Sequence, residues 1–141
     1  MKLLQYDTQS DLSIDRKQVK LLVEEFFRLK KTPSTQVIVH FVSRQEISDL
    51  HKDFFDDPTP TDCITFPFRD SDLLGEIFVC PQMAIDYSSD NPYKETTLYI
   101  IHALLHLLGY DDTDEKTQAK MREAESVVMN HLEEKNLLLC S

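Results

Sequence analysis

The chain has 141 residues, with 15 Lys and Arg against 25 Asp and Glu for a formal charge of −10, and only 2 Gly, 3 Cys and no Trp. That length suits one domain over residues 1–141, and 41% hydrophobic residues supply a core, so disorder of the whole chain is not expected. Two glycines cannot write G-x-G-x-x-G or a Walker-type loop, which excludes a nucleotide cofactor held that way, and so acidic a chain departs from the basic character expected of a nucleic-acid binder.

In chain order, residues 2–7 (KLLQYD) read as a short strand, and residues 14–31 repeat apolar side chains at 19, 22, 23, 26 and 29, a helix ended by Pro33. The β-branched and aromatic run 35–42 (TQVIVHFV) is a second strand. Ser43 and Glu46 form a capping box for a helix reaching about Phe55, after which DDPTPT breaks regular structure. Residues 62–68 and 73–80 are two further strands, joined as a hairpin by the polar link 69–72. Pro81 opens a short helix, and residues 93–108 form a helix apolar on more than one face that stops at Gly109. A last helix runs from about Asp112 or Thr113 to about Asn136, with Met121, Val127, Val128 and Leu132 on its apolar stripe.

Cys63, Cys80 and Cys140 are odd in number and form no C-x-x-C pair, which argues for a reducing compartment and against a disulfide framework; Cys63 and Cys80 read as core rather than ligands. The N-terminus turns polar after four residues, too soon for a signal peptide, and the longest apolar stretch, 98–109, is too short for a bilayer and interrupted by histidines. A cytoplasmic protein without membrane association is the expectation. His40 and His131 read as structural or surface residues.

The chemistry concentrates in Ile101 to Asp112. His102 and His106, four apart on a helix, project from one face about 5–6 Å apart at Cβ, a spacing that suits two ligands of one Zn²⁺. The bland reading is two polar residues on a buried helix. Imidazoles set among Leu98, Ile101, Leu104, Leu105, Leu107 and Leu108 need partners against their desolvation, and a metal is one. Gly109 turns the chain back, so that Asp112 supplies a third ligand and the fourth position is left to water, as in catalytic rather than structural sites. Ala103 follows the first histidine where the zinc peptidases carry their general-base Glu, which disfavours that mechanism. No catalytic group beyond the metal-bound water is assigned. Asp112 with Glu115 also fits a capping box for the last helix, and Asp111 is an alternative ligand by a different turn.

HALLHLLGYDD resembles the signature H-G-x-L-H-L-x-G-Y-D-H of the YbeY family of bacterial metal-dependent endoribonucleases. PTDCITFPF, from Pro60 to Phe68, resembles its P-T-D-V-L-S-F-P block; Leu74, Gly75, Glu76, Ile77 and Pro81 follow its L-G-D-I-x-I-x-P strand; Met121 and Glu125 fall on its M-x-x-x-E. The order and spacing agree from about Gln36 to about Val128. The resemblance implies an α+β fold: a small mixed sheet of about four strands with helices, and a metal site on a central apolar helix that floors a cleft walled by the sheet. It further implies a single-strand-specific endoribonuclease acting in 16S rRNA 3′-end maturation and ribosome quality control. Zn²⁺ would be held by His102, His106 and Asp112, with His51, Asp62 and Thr65 lining the substrate cleft. The implied partners are rRNA and the small ribosomal subunit or a protein associated with it.

Two positions depart from the family. Asp112 stands where it has a third His, and Phe55 where it has an Arg that contacts substrate phosphate; Lys52, Arg69 and His51 are the candidates to replace that cation. These losses motivate two other readings: an assembly factor that keeps the metal but cleaves little, and a metal-dependent hydrolase of another substrate. Charge is segregated. Residues 1–48 carry 8 basic and 6 acidic side chains, net +2, whereas 49–141 carry 7 and 19, net −12. Arg16, Lys17, Lys20, Arg28, Lys30 and Lys31 form either a face toward RNA or ribosome or a solvated helix surface. The acidic runs 49–72 and 111–125 would repel free RNA, so a docked ribosomal partner is expected to supply affinity.

Overall fold

A computed structural model describes residues 1–32, 36–68 and 73–141. Pro33, Thr35, Arg69 and the 69–72 link lie outside the described residues. The elements are β1 (Lys2–Asp7), α1 (Arg16–Leu29), β2 (Gln36–Phe41), α2 (Arg44–Phe55), β3 (Cys63–Pro67), β4 (Leu73–Val79), α3 (Pro81–Tyr87), α4 (Pro92–Leu107) and α5 (Glu115–Glu134).

The four strands form one mixed sheet in the order β1-β2-β4-β3. β1, β2 and β4 run parallel, and β3 pairs antiparallel with β4, Thr65 opposite Ile77. This is the α+β class expected from the sequence. Alternation assigns the faces: Val37, Val39 and Phe41 of β2 are buried, while Ile38 and His40 between them are half-buried. The buried side joins α1, α4 and α5 in the main core, and α2 covers part of the other side through Ile47, which packs with Val42, Ile64 and Cys80.

α1 is shorter than the expected 14–31. Asp15 caps it by accepting the Lys17 N–H, and Lys31 beyond its end takes a left-handed φ of 51°. Phe27 joins Val19, Leu22, Val23 and Phe26 in the core, whereas Leu29 is only half-buried. α5 likewise begins later than expected. Its capping box is Asp114 with Thr117, not Asp112 with Glu115. Val127 is 55% exposed rather than part of the stripe, because it sits about 240° round the helix from Met121; Ala124 and Met129 are buried beside Met121, Val128 and Leu132 instead.

Gly75 seats α4 against the sheet. A Cβ there would lie 2.5 Å from Leu107 Cδ2 and 2.8 Å from the Phe66 carbonyl oxygen, so only a bare α-carbon lets strand and helix approach this closely.

Candidate metal centre

α4 starts with Asn91, whose side chain accepts the Lys94 N–H, and with Pro92 in the first turn. Nine of its 16 residues are buried, which holds the helix in one rotational setting. His102 and His106 share the flank that opens beside α5, each side chain 24% exposed. The helix ends in a Schellman turn: Gly109 N–H bonds the His106 carbonyl at 3.0 Å and Tyr110 N–H the Leu105 carbonyl at 3.0 Å. Gly109 has φ 102°, in the left-handed region that favours glycine. The reversal carries Asp112 back over the two histidines.

Asp111 holds this turn locally, accepting the Asp112 N–H at 2.8 Å and the Thr113 hydroxyl at 2.9 Å. With Asp111 occupied there and Asp114 capping α5, the Asp112 carboxylate turns to the histidines. The Nε2 atoms of His102 and His106 lie 3.1 Å apart, and Asp112 Oδ2 is 3.5 Å from each. Ligands at about 2.0–2.1 Å around a tetrahedral ion are separated by about 3.3–3.4 Å. The three donors therefore outline one face of such a tetrahedron, forming a group that can hold an ion and leave one vertex open to solvent.

Glu125 of α5 supports this group from behind. His102 Nδ1–H donates to its carboxylate, which leaves the Nε2 lone pair pointing at the other two donors. The Glu125 side chain is 16% exposed. Burial works against the protonated imidazole of His102, but the hydrogen bond and charge of Glu125, with the charges of Asp62 and Asp112, raise its pKa overall.

The group opens on a cleft of about 440 Å³ lined by α4 and α5, with Asp62 from the segment before β3 and Tyr87 from the end of α3. The wall facing the histidine helix is thus α5 rather than the sheet, because α5 packs directly along α4. Four carboxylates, Asp62, Glu95, Asp112 and Glu125, make the cleft electronegative. Burial raises the Glu95 pKa, and Asp62 and Glu125 add to that against a hydrogen bond with Tyr99. Tyr99 is raised by burial and then by Glu95 and Asp62. Cys63 is pushed well above the usual thiol range by burial, then by Asp62, Asp112 and Glu125. A divalent cation suits such a field.

Of the residues expected to line the cleft, Asp62 does so. Thr65 lies half-buried on β3, on the same face as Cys63 by alternation, but does not line it. His51 on α2 is turned elsewhere, its Nδ1 against the Thr59 carbonyl at 2.9 Å and its ring 5.3 Å from that of Phe55. Phe55 is 54% exposed. Cys80 is buried at the α3 N-cap, and Cys63 packs on the main core. His40 meets Glu76 at 2.5 Å and His131 meets Glu25 at 2.5 Å. Three of the basic residues around α1 have partners within the fold: Arg16 at the Gln5 carbonyl, Arg28 at Glu25 and Lys30 at the Tyr110 hydroxyl. Lys17 and Lys20 face solvent. Gln118, Arg122 and the roles of Glu95 and Glu125 escaped the sequence reading. Glu125 was the most accessible of them, one turn beyond the buried Met121 on the same motif.

Fold and site together define an α+β protein with a half-buried, three-donor, metal-competent group at a helix–turn–helix cleft. A family profile described as Endoribonuclease YbeY matches residues 5–133, and the chain belongs to that family. It is 42% identical over 139 residues to the endoribonuclease YbeY of Protochlamydia amoebophila, covering 93% of both chains. It is 38% identical over 141 residues to that of Chlamydia trachomatis serovar D, covering 93% of this chain and 88% of the relative. The solution structure of TM1509 from Thermotoga maritima superposes with a TM-score of 0.62 at 26% identity, covering 96% of this chain and 94% of that one. Among the described residues, no helix is long and apolar enough to cross a membrane.

Proposed function

We propose that this chain is a metal-dependent, single-strand-specific endoribonuclease that matures the 3′ end of 16S rRNA and acts in ribosome quality control. His102, His106 and Asp112 hold one Zn²⁺, and the small ribosomal subunit or an associated protein presents the substrate. The observation that carries the reading is the 3.1, 3.5 and 3.5 Å triangle of donors at the mouth of the cleft, in a chain of an endoribonuclease family.

An ion held by His102, His106 and Asp112 would supply Lewis acidity toward a phosphate and an activated water near neutral pH. The chain's own residues do the rest. Glu125 keeps the His102 proton on Nδ1 and so holds Nε2 toward the other two donors. Asp62, which lines the same cleft from the segment before β3, orients polar groups of the substrate. Two packed helices have axes about 8–10 Å apart, so a phosphate reaches donors half-buried between them on a single strand and not within an A-form duplex.

The cytoplasm is where such a substrate is found. Depletion of the protein with mapping of 16S 3′ ends tests the function: unprocessed ends are expected, restored by the wild-type chain and not by His106→Ala. Normal ends after depletion overturn the reading. The exposed Phe55, which brings no cation to the cleft, favours a second reading, an assembly factor with a retained metal site; full rescue by His106→Ala selects it.

A further inference from the structure

The cleft presents a problem for its own substrate. Four carboxylates line it, and the position where the family resemblance puts a phosphate-contacting Arg is Phe55, on α2 and away from the cleft lining. An RNA strand needs a cation there besides the metal.

One guanidinium is in place. Arg122, exposed on α5, lines the cleft together with His102, Asp112 and Glu125. Among the described residues, the other arginines are engaged: Arg16 with the Gln5 carbonyl, Arg28 with Glu25, Arg44 with Asp86. The Arg122 side chain has neither a hydrogen bond nor an ion pair. Its natural helical partner one turn on is Glu125, and that carboxylate is taken by His102. The arrangement that orients the metal ligand thus leaves a guanidinium unpaired in an acidic cleft.

Arg122 also lines a second groove, of about 430 Å³, which shares Glu95, Leu98 and Glu125 with the first and continues between the start of α4 and the middle of α5. Lys94 lies along it, 3.8 Å from Glu133 and 49% exposed, with Ser88, Asn91 and Asn130 as neutral hydrogen-bonding groups. His102 and Asp112 line only the first groove. Arg122 therefore stands between the two, one step removed from the metal donors.

We infer that Arg122 is the substrate-phosphate contact of this enzyme, binding the backbone beside the reacting phosphate and directing the strand from the metal cleft into the Lys94 groove. The inference rests on the endoribonuclease reading above. A guanidinium presents two parallel N–H donors to a phosphate, a clamp an ammonium copies only as a point charge.

The test is fluorescence anisotropy of a labelled, single-stranded 2′-O-methyl RNA oligonucleotide with the zinc-loaded full chain, titrated at several salt concentrations, beside steady-state cleavage of the unmodified strand. Arg122→Ala is expected to weaken binding about tenfold and to lower the slope of log K against log [salt] by about 0.7, the value for one phosphate contact on a single strand. KM should rise more than kcat falls, and Arg122→Lys should restore the salt slope but only part of the affinity. An Arg122→Ala chain with wild-type slope and affinity overturns the assignment, as does an equal loss in Arg44→Ala, which would mean diffuse electrostatics. Wild-type chain that binds and cleaves RNA while Arg122→Ala changes nothing removes Arg122 alone; wild-type chain that binds no RNA removes the endoribonuclease reading with it.

Discussion

α5 meets its two helical neighbours through the same chemistry with opposite consequences. At the α4 junction its Glu125 accepts a hydrogen bond from His102; at the α1 junction its own His131 meets Glu25. Both histidines are about equally buried, 24% and 22% exposed. At α1 the network closes, because Arg28 engages the same Glu25 carboxylate with its Nε, at 2.8 Å, and with its Nη2. At α4 the second imidazole nitrogen faces another imidazole and a carboxylate, three donors close enough for one cation to engage together. A histidine–carboxylate pair is thus structural by default. Convergence of further donors on the free nitrogen makes it a candidate metal site.

The sharpest way to break this contrast is to remove a donor on each side. His106→Ala should weaken Zn²⁺ binding, measured by chelator competition, by more than the roughly 10–100-fold typical of a supporting-residue change. His131→Ala should leave it unchanged; equal losses would dissolve the distinction.

Asp112 and Asp114, two residues apart, should separate cleanly. Asp112→Ala should cost metal affinity with little change in the melting temperature of the metal-free chain. Asp114→Ala should cost about 1 kcal/mol of stability through the lost helix cap, a fall of about 3–5 °C, with metal affinity retained. The reverse pattern would reassign ligand and cap.

Glu125→Ala should lower metal affinity about 10–100-fold, and Glu125→Gln, whose amide oxygen still accepts from His102 Nδ1, by less. Identical effects of the two would mean charge rather than ring orientation.

The smallest effect belongs to the closed network. Arg28, then His131, hold the Glu25 carboxyl down to about 2 from an ordinary 4.5. A depressed folded-state pKa contributes stability that is complete above the unfolded value and lost as pH falls from about 4.5 toward 2. Thermal melts across that window should show a shallower decline for Glu25→Gln than for wild type. Parallel curves would remove Glu25 from the acid response.

Much of this was open to a reading of residue types. The strands announced themselves by β-branched and aromatic runs, Ser43 and Glu46 by their spacing, and the metal helix by histidines four apart before a glycine. Helix boundaries were less legible, because three aspartates, Asp111, Asp112 and Asp114, crowd one short turn and differ only in what each side chain reaches. Val127 and Phe27 traded expected places for a similar reason: apolar identity marks a candidate for burial, but helix rotation selects which candidates are used.

Residue order alone established the strand and helix segments, the histidine pair on one helical face and the reversal at Gly109, since each depends on contacts within a few residues and on the periods of helix and strand. The mixed sheet was legible only through the family resemblance, because its pairings join residues dozens apart. Packing decided the rest. Glu125 lies 23 residues from His102 and meets it only because α5 docks along α4. That docking also makes α5 the cleft wall and leaves Arg122 unpaired beside the donors, outcomes set by the relative placement of helices rather than by any local spacing.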